Sequence, residues 1–253
     1  MSGIRAVFYR DYRQRMTNIA FVFWDLFVPL AYLVLFGLGF ERMLGGAIAV
    51  GGEGFGYIAF LLPGVLGMVT FSVAMNTSWG FFMDKDSGIF YELLTYPITR
   101  LQLLIGKISF NLLLALIGSI LAIITGVALM NATIRWDLLP LTAAIVVVAT
   151  AEWFFLFSVF AIKFARMDTF NTLLSAMYIM LMFLSSMFYP LSDLPIWFRI
   201  PSFLNPMTWQ VDLLRFSLLG VGSPTTLILE GAAVLVFGLI CLALAVRALN
   251  RAD

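Results

Sequence analysis

The chain contains no histidine and only one cysteine. Without imidazole there is no His-based acid–base pair, no Ser-His-Asp triad and no imidazole metal ligand. A lone thiol, Cys241, excludes a disulfide within the chain and any Cys-rich zinc or iron–sulfur centre. Charge is scarce as well: 11% of residues are Asp, Glu, Lys or Arg, and the net charge of +1 argues against a nucleic-acid partner. The Gly106-Lys107 pair lacks the following Ser or Thr and the upstream glycine of a phosphate-binding loop, so ATP is not expected to bind this chain by that route. There is also no paired acidic motif of the D-D-x-x-D kind to hold a magnesium diphosphate.

What the chain has in abundance is apolar surface. Hydrophobic residues make up 62% of it and the mean hydropathy is +1.01, where a soluble domain is about half apolar and about a quarter charged. Lipid is the solvent that accommodates such an excess. Apolar runs near the ~20 residues needed to span a bilayer fall at about 21–40, 57–82, 108–130, 138–162, 170–190 and 225–246. They are too continuous for the weak alternation of barrel strands, and helices satisfy their own backbone in hydrocarbon. The expectation is an all-α membrane protein of six transmembrane helices, a single transmembrane domain over 21–253. Eleven of the fifteen Lys and Arg residues fall in the segments that share a side with the N-terminus, and Arg42, Arg135, Arg199 and Arg215 fall on the other. That bias places both termini in the cytoplasm. No cleavable signal peptide is expected, since about 20 polar and basic residues precede the first apolar run without a small-x-small site.

Three carboxylates fall in or near the spans, where an ionisable group is a functional hypothesis by default. Asp25, beside Trp24, is read as reaching the headgroup region. Glu152, in "ATAEWFF", must face another helix or an aqueous cavity, and Glu230 is read as an ordinary residue near the outer surface. An ion-coupled carrier, or a lipid-modifying enzyme, built on Asp25 and Glu152 is therefore an open alternative. The methionines of the fifth span (Met177, Met180, Met182, Met187) suit adaptable packing.

One charged stretch interrupts the apolar pattern: "DKDSGIFYELLTYPITRLQLLIGK", residues 84–107. Ile89, Phe90, Leu93 and Leu94 give one apolar helical face with Glu92 off it. Pro97 suits the first turn of a new helix, after which Ile98, Leu101, Leu104, Ile105 and Ile108 keep helical spacing into the third span. The pattern predicts a short helix along the membrane surface, a turn at Thr95-Tyr96-Pro97, and re-entry. Residues 1–20 predict a second surface helix, with Ile4, Phe8, Tyr12 and Met16 in one stripe and Arg5, Arg10 and Arg13 off it.

The segment "GIFYELLTYPITRLQLLIGKI" resembles the cytoplasmic loop of the type-2 ABC exporter permeases, which carries an acidic residue, two leucines, a proline and then a lysine: here Glu92, Leu93, Leu94, Pro97 and Lys107. "FYPLSDLPIWFRIPSFLNPMTWQVDLLRFSLLG" at 188–220 is similar to that family's segment before the last span, with Leu194-Pro195, Asn205-Pro206 and Arg215, and "YIAFLLPGVLGM" at 57–68 is similar to the start of its second span. With six expected spans and 253 residues, the resemblance extends over the whole chain. The resemblance implies that 84–107 is the coupling segment against a separate ATP-binding subunit, with Ile89, Phe90, Leu93 and Leu94 as apolar anchors and Asp84, Asp86, Glu92 and Arg100 as polar contacts. It implies that 1–20 is an interface helix (Arg5, Phe8, Tyr12, Arg13), and that 191–219 forms short outer helices that partly re-enter the membrane and gate it (Leu194, Pro195, Asn205, Pro206, Arg215). ATP and magnesium would belong to the partner ATPase, with no metal or catalytic residue here. A second permease copy would complete the path, as a homodimer or with a related chain. The implied cargo is an amphipathic or lipid-linked molecule: a drug, lipid, lipo-oligosaccharide or polysaccharide.

Overall fold

The computed structural model describes residues 3–44, 48–50 and 53–251. In chain order the helices are α1 (Gly3–Thr17), α2 (Ile19–Leu44), α3 (Tyr57–Asp86), α4 (Ile89–Thr95), α5 (Arg100–Ile124), α6 (Leu139–Lys163), α7 (Met167–Phe183), α8 (Ile196–Phe203), α9 (Pro206–Leu219) and α10 (Pro224–Leu249). A small antiparallel hairpin, β1 (Ile48–Val50) with β2 (Glu53–Phe55), joins α2 to α3. The protein is mostly helical, and among the described residues five helices are long and apolar enough to cross a membrane.

Local chemistry explains the helix ends. The Glu41 carboxylate accepts from the Ile58 backbone N–H at 3.1 Å, so the end of α2 caps the start of α3. Thr99 and Gln102 form a reciprocal capping box that starts α5. Lys85 donates to the carbonyls of Ile162 (2.5 Å) and Phe164 (2.8 Å), closing the C-terminus of α6 from a different helix. A π-turn, Thr125–Leu129, prolongs α5.

The core is organised around α3, which touches α2, α5, α6, α9, α7 and α4. Phe71 of α3 meets Trp153 and Phe157 of α6 at ring distances of 4.9 and 5.0 Å. Close approach depends on glycine: a Cβ at Gly64 would lie 3.0 Å from the Met187 carbonyl oxygen and would overlap its Cγ. Small residues that let backbones meet are the usual means of helix packing in lipid.

The expected fifth span at 170–190 ends early. Helix α7 stops at Phe183 after 17 residues, short of the ~20 that span a bilayer. Its terminal carbonyls, Leu181 and Leu184, are caught by the Asn205 side-chain amide at 2.7 and 2.9 Å. Asn205 simultaneously caps α9 through Met207 N–H, so one side chain closes two helix ends. Helix α9 then runs antiparallel to α6: Gln210 meets Glu152 and Trp153 at the middle of α6, and Ser217 meets Thr142 near its start. Asn205 thus holds the α8–α9 turn against the end of α7, and α9 packs among α3, α6 and α10.

Candidate functional site

The 84–107 stretch folds differently in detail from its sequence pattern. Helix α3 runs on to Asp86, and the break comes at Gly88, whose φ of +82° a residue with a Cβ rarely adopts. Ser87 caps the end of α3. Pro97 lies before the Thr99 cap of α5 rather than in its first turn.

The faces of α4 are a correction as well. Phe90 is buried against Phe81, ring centroids 5.5 Å apart, and Leu93 packs on the same core. These two were expected as anchors for a partner; they fasten α4 to its own chain instead. The side of Leu94 lies outside the described residues. What α4 and its flanks expose is Asp86, Ile89, Tyr91, Glu92, Tyr96 and Pro97, while Arg100 is half-buried at the start of α5.

Asp84 is likewise turned inward. Its carboxylate accepts from Arg10 of α1, at 2.9 Å from Nη1 and with a second bond from Nη2, and from Lys107 of α5. Lys107 is itself buried, 3.7 Å from Asp11 and with its Nζ 5.4 Å from the Phe81 ring centroid. The bond to Asp84 pushes the Arg10 pKa above its ordinary value, and burial raises that of Asp11 against the pull of Lys107 and Arg10. This network ties α1, α3 and α5 together immediately beside α4. Its members are 74 and 23 residues apart along the chain.

In α1 the buried residues are Val7 and Asp11, one position off the expected Phe8–Tyr12 stripe. Val7 sits on Gly106 of α5, while Phe8 and Tyr12 flank it with their rings edge-on to Phe110 at 5.9 and 5.4 Å. Arg5 and Arg13 are exposed.

At the opposite end, Arg215 is buried, its guanidinium 4.4 Å from the Phe60 ring centroid. It donates to the Ser186 carbonyl at 2.7 Å and pairs with Asp212. Glu230, expected to be ordinary, is buried near this cluster with one carboxylate oxygen unpartnered among the described residues. Leu194 and Pro195 precede α8, with Pro195 at its cap. Asp25 is also buried rather than at the surface: Arg15 donates to it at 3.1 Å and Asn76 bonds its other oxygen. Glu152 is 2% exposed and accepts from Gln210. These two carboxylates share no partner, so the structure does not join them into one site.

Comparison with known proteins follows the same outline. The family model described as ABC-2 type transporter matches residues 2–219. The chain belongs to the ABC-2 type transporter family. It is 28% identical over 199 residues to "Putative transport permease ycf38" of Cyanophora paradoxa, covering 74% of this chain and 64% of that protein. It is 24% identical over 214 residues to the ycf38 protein of Porphyra purpurea, covering 84% and 71%, and 26% identical over 226 residues to "Inner membrane transport permease YadH" of Escherichia coli, covering 87% and 86%. The matched region of this ABC-2 family member thus contains α1, α4 and the α8–α9 hairpin.

Proposed function

We propose that this multi-pass membrane protein is the permease subunit of an ATP-driven exporter, with both termini and the α1/α4 end in the cytoplasm. In this reading a separate ABC subunit supplies ATP, magnesium and hydrolysis, and the chain itself binds no cofactor and catalyses no reaction. Two permeases, a homodimer in the simplest arrangement, pair with two ATPase subunits in a bacterial or archaeal cytoplasmic membrane. Alternation between inward- and outward-accessible states, biased by nucleotide, moves an amphipathic or lipid-linked cargo outward.

The observation that carries this reading is the two-faced α4. Its inner face, Phe90 and Leu93, is fixed to the end of α3, and its outer face, Ile89, Tyr91 and Glu92, is free beside Tyr96. A partner pressing on that outer face would push on α3 directly, and through Asp84 on α1 and α5. At the other end of α3, Phe60 and Gly64 touch Arg215 and Met187 of the hairpin region, which we assign as the outer gate. α1, with Arg5 and Arg13 exposed, serves as the interface helix beside the ATPase and anionic lipid. The test is copurification from the native host. An ATP-binding chain in stoichiometric amount, lost on Tyr91→Glu with Glu92→Arg, supports the reading; a permease that purifies alone in every mild detergent contradicts it.

A further inference from the structure

Between α1, α3 and α5 lies a cavity of about 270 Å³, on the side of the network away from α4. Its volume is that of about nine waters at ~30 Å³ each, and most of the residues that line it are polar or charged. Three buried polar atoms at this cavity have no hydrogen-bond partner among the described residues: Asp11 Oδ1, Arg15 Nη2 and Asn111 Oδ1. Asn111 is 1% exposed and its amide nitrogen is already committed to the Lys107 carbonyl at 2.9 Å. The nearest cations to Asp11 Oδ1 are Arg10 at 3.5 Å and Lys107 at 3.7 Å. Arg15 spends Nη1 on Asp25 and leaves Nη2 unused. Buried polar atoms are rarely left this way without a ligand, ion or water to meet them.

The charges limit what the ligand can be. Arg10, Arg15 and Lys107 balance Asp11, Asp25 and Asp84, three cations against three anions: Arg10 and Lys107 pair with Asp11 and Asp84, and Arg15 pairs with Asp25. A net anion or net cation would unbalance this set, whereas a zwitterion would not. An unused guanidinium N–H is suited to a phosphate oxygen, and two unused oxygen acceptors are suited to a primary ammonium. Gly80 supplies the room: it lies within α3, lines the cavity, and a Cβ there would meet nothing within 4 Å. Glycine inside a helix weakens it, so its value at this position is the open space.

We propose that this cavity binds a phosphoethanolamine group, with its phosphodiester on Arg15 and its ammonium between Asp11 and Asn111. The site does not depend on an ATPase partner. Only the identity of its source rests on the reading above, which puts this end at the cytoplasmic leaflet, where an ethanolamine phospholipid would present that headgroup. Choline phospholipid has the same charges, but its quaternary nitrogen has no N–H to give Asp11 and Asn111.

The experiment is thermal unfolding of the purified permease in detergent micelles doped with phosphatidylethanolamine or phosphatidylcholine of identical chains, and with soluble glycerophosphoethanolamine. The expected result is a rise in Tm of several degrees with the ethanolamine lipid and none with the choline lipid, the difference vanishing in Gly80→Leu. If glycerophosphoethanolamine reproduces the shift, the headgroup alone suffices and a soluble source serves; if only the lipid does, the source is the membrane. Equal shifts from both lipids, no shift from either, or a difference that survives Gly80→Leu would overturn the proposal. Should Gly80→Leu fail to fold, Asn111→Leu is read in the same way, since it removes one acceptor and leaves the ion pairs intact.

Discussion

Helices α3 and α10 have similar sequences in kind and opposite fates. Both are long apolar helices, of 30 and 26 residues. Yet 94% of the most apolar stretch of α3 is buried inside the chain, against 17% for α10. Helix α10 presents Leu235, Leu239 and Ile240 outward, where lipid meets them as well as protein would. Helix α3 instead carries features that only a surrounded helix can use: a glycine, Gly64, under the Met187 backbone, aromatic contacts to α6, and Asp84 in an ion network at one end. Hydropathy marks both as spans, but the small and charged residues distinguish the central rod from a peripheral one. That distinction supports α3 as the element that links α4 to the α8–α9 hairpin.

The comparison can be broken at several points. Gly64→Leu should have the largest effect, because its Cβ alone would clash with Met187 Cγ and crowd the Met187 carbonyl oxygen at 3.0 Å, and that backbone cannot rotate away. Inserting extra methylenes costs about 1–3 kcal/mol, occasionally more; leucine adds four carbons where even the first lacks room, so the loss should exceed that range and abolish the folded peak in size-exclusion chromatography. Lys107→Met should follow. Removing one partner from a buried ion cluster costs about 3–5 kcal/mol, while Lys107→Met combined with Asp84→Asn should recover part of the lost thermal stability, since Arg10 is partly exposed and can turn to water. At the low end, Leu239→Ala in α10 should change the unfolding temperature little, because that side chain is exposed and packs against little of its own chain. An effect of Leu239→Ala as large as that of Lys107→Met would erase the contrast between the two helices.

Much of this was legible in the sequence, and the parts that were not share a cause. Composition and the length of the apolar runs gave the membrane class, and the spacing from Ile89 to Pro97 gave a short helix and a turn. The identification of the family from Glu92, Leu93, Leu94, Pro97, Lys107 and the Asn205-Pro206 segment is borne out by the family match. What periodicity did not supply was which face points inward. Phe90 and Asp84 were read as facing a partner because a single segment carries no record of Phe81, Arg10 or Lys107. For the same reason the α1 stripe was one residue out, since Gly106 of α5 selects Val7. Glu230 looked superficial because its polar surroundings come from Asp212 and Arg215, on a hairpin that folds back into the bundle. The early stop of α7 depends on a cap 21 and 24 residues further on.

The most direct measurement is transport per ATP hydrolysed by the reconstituted permease–ATPase complex, comparing the native chain with Glu92→Arg. Glu92 is exposed on α4, so the variant should fold and insert normally. The account predicts that ATP hydrolysis persists while transport falls at least tenfold, the mark of a severed contact between the ATPase and α3. Equal transport per ATP in the two proteins, with the complex intact, would contradict it.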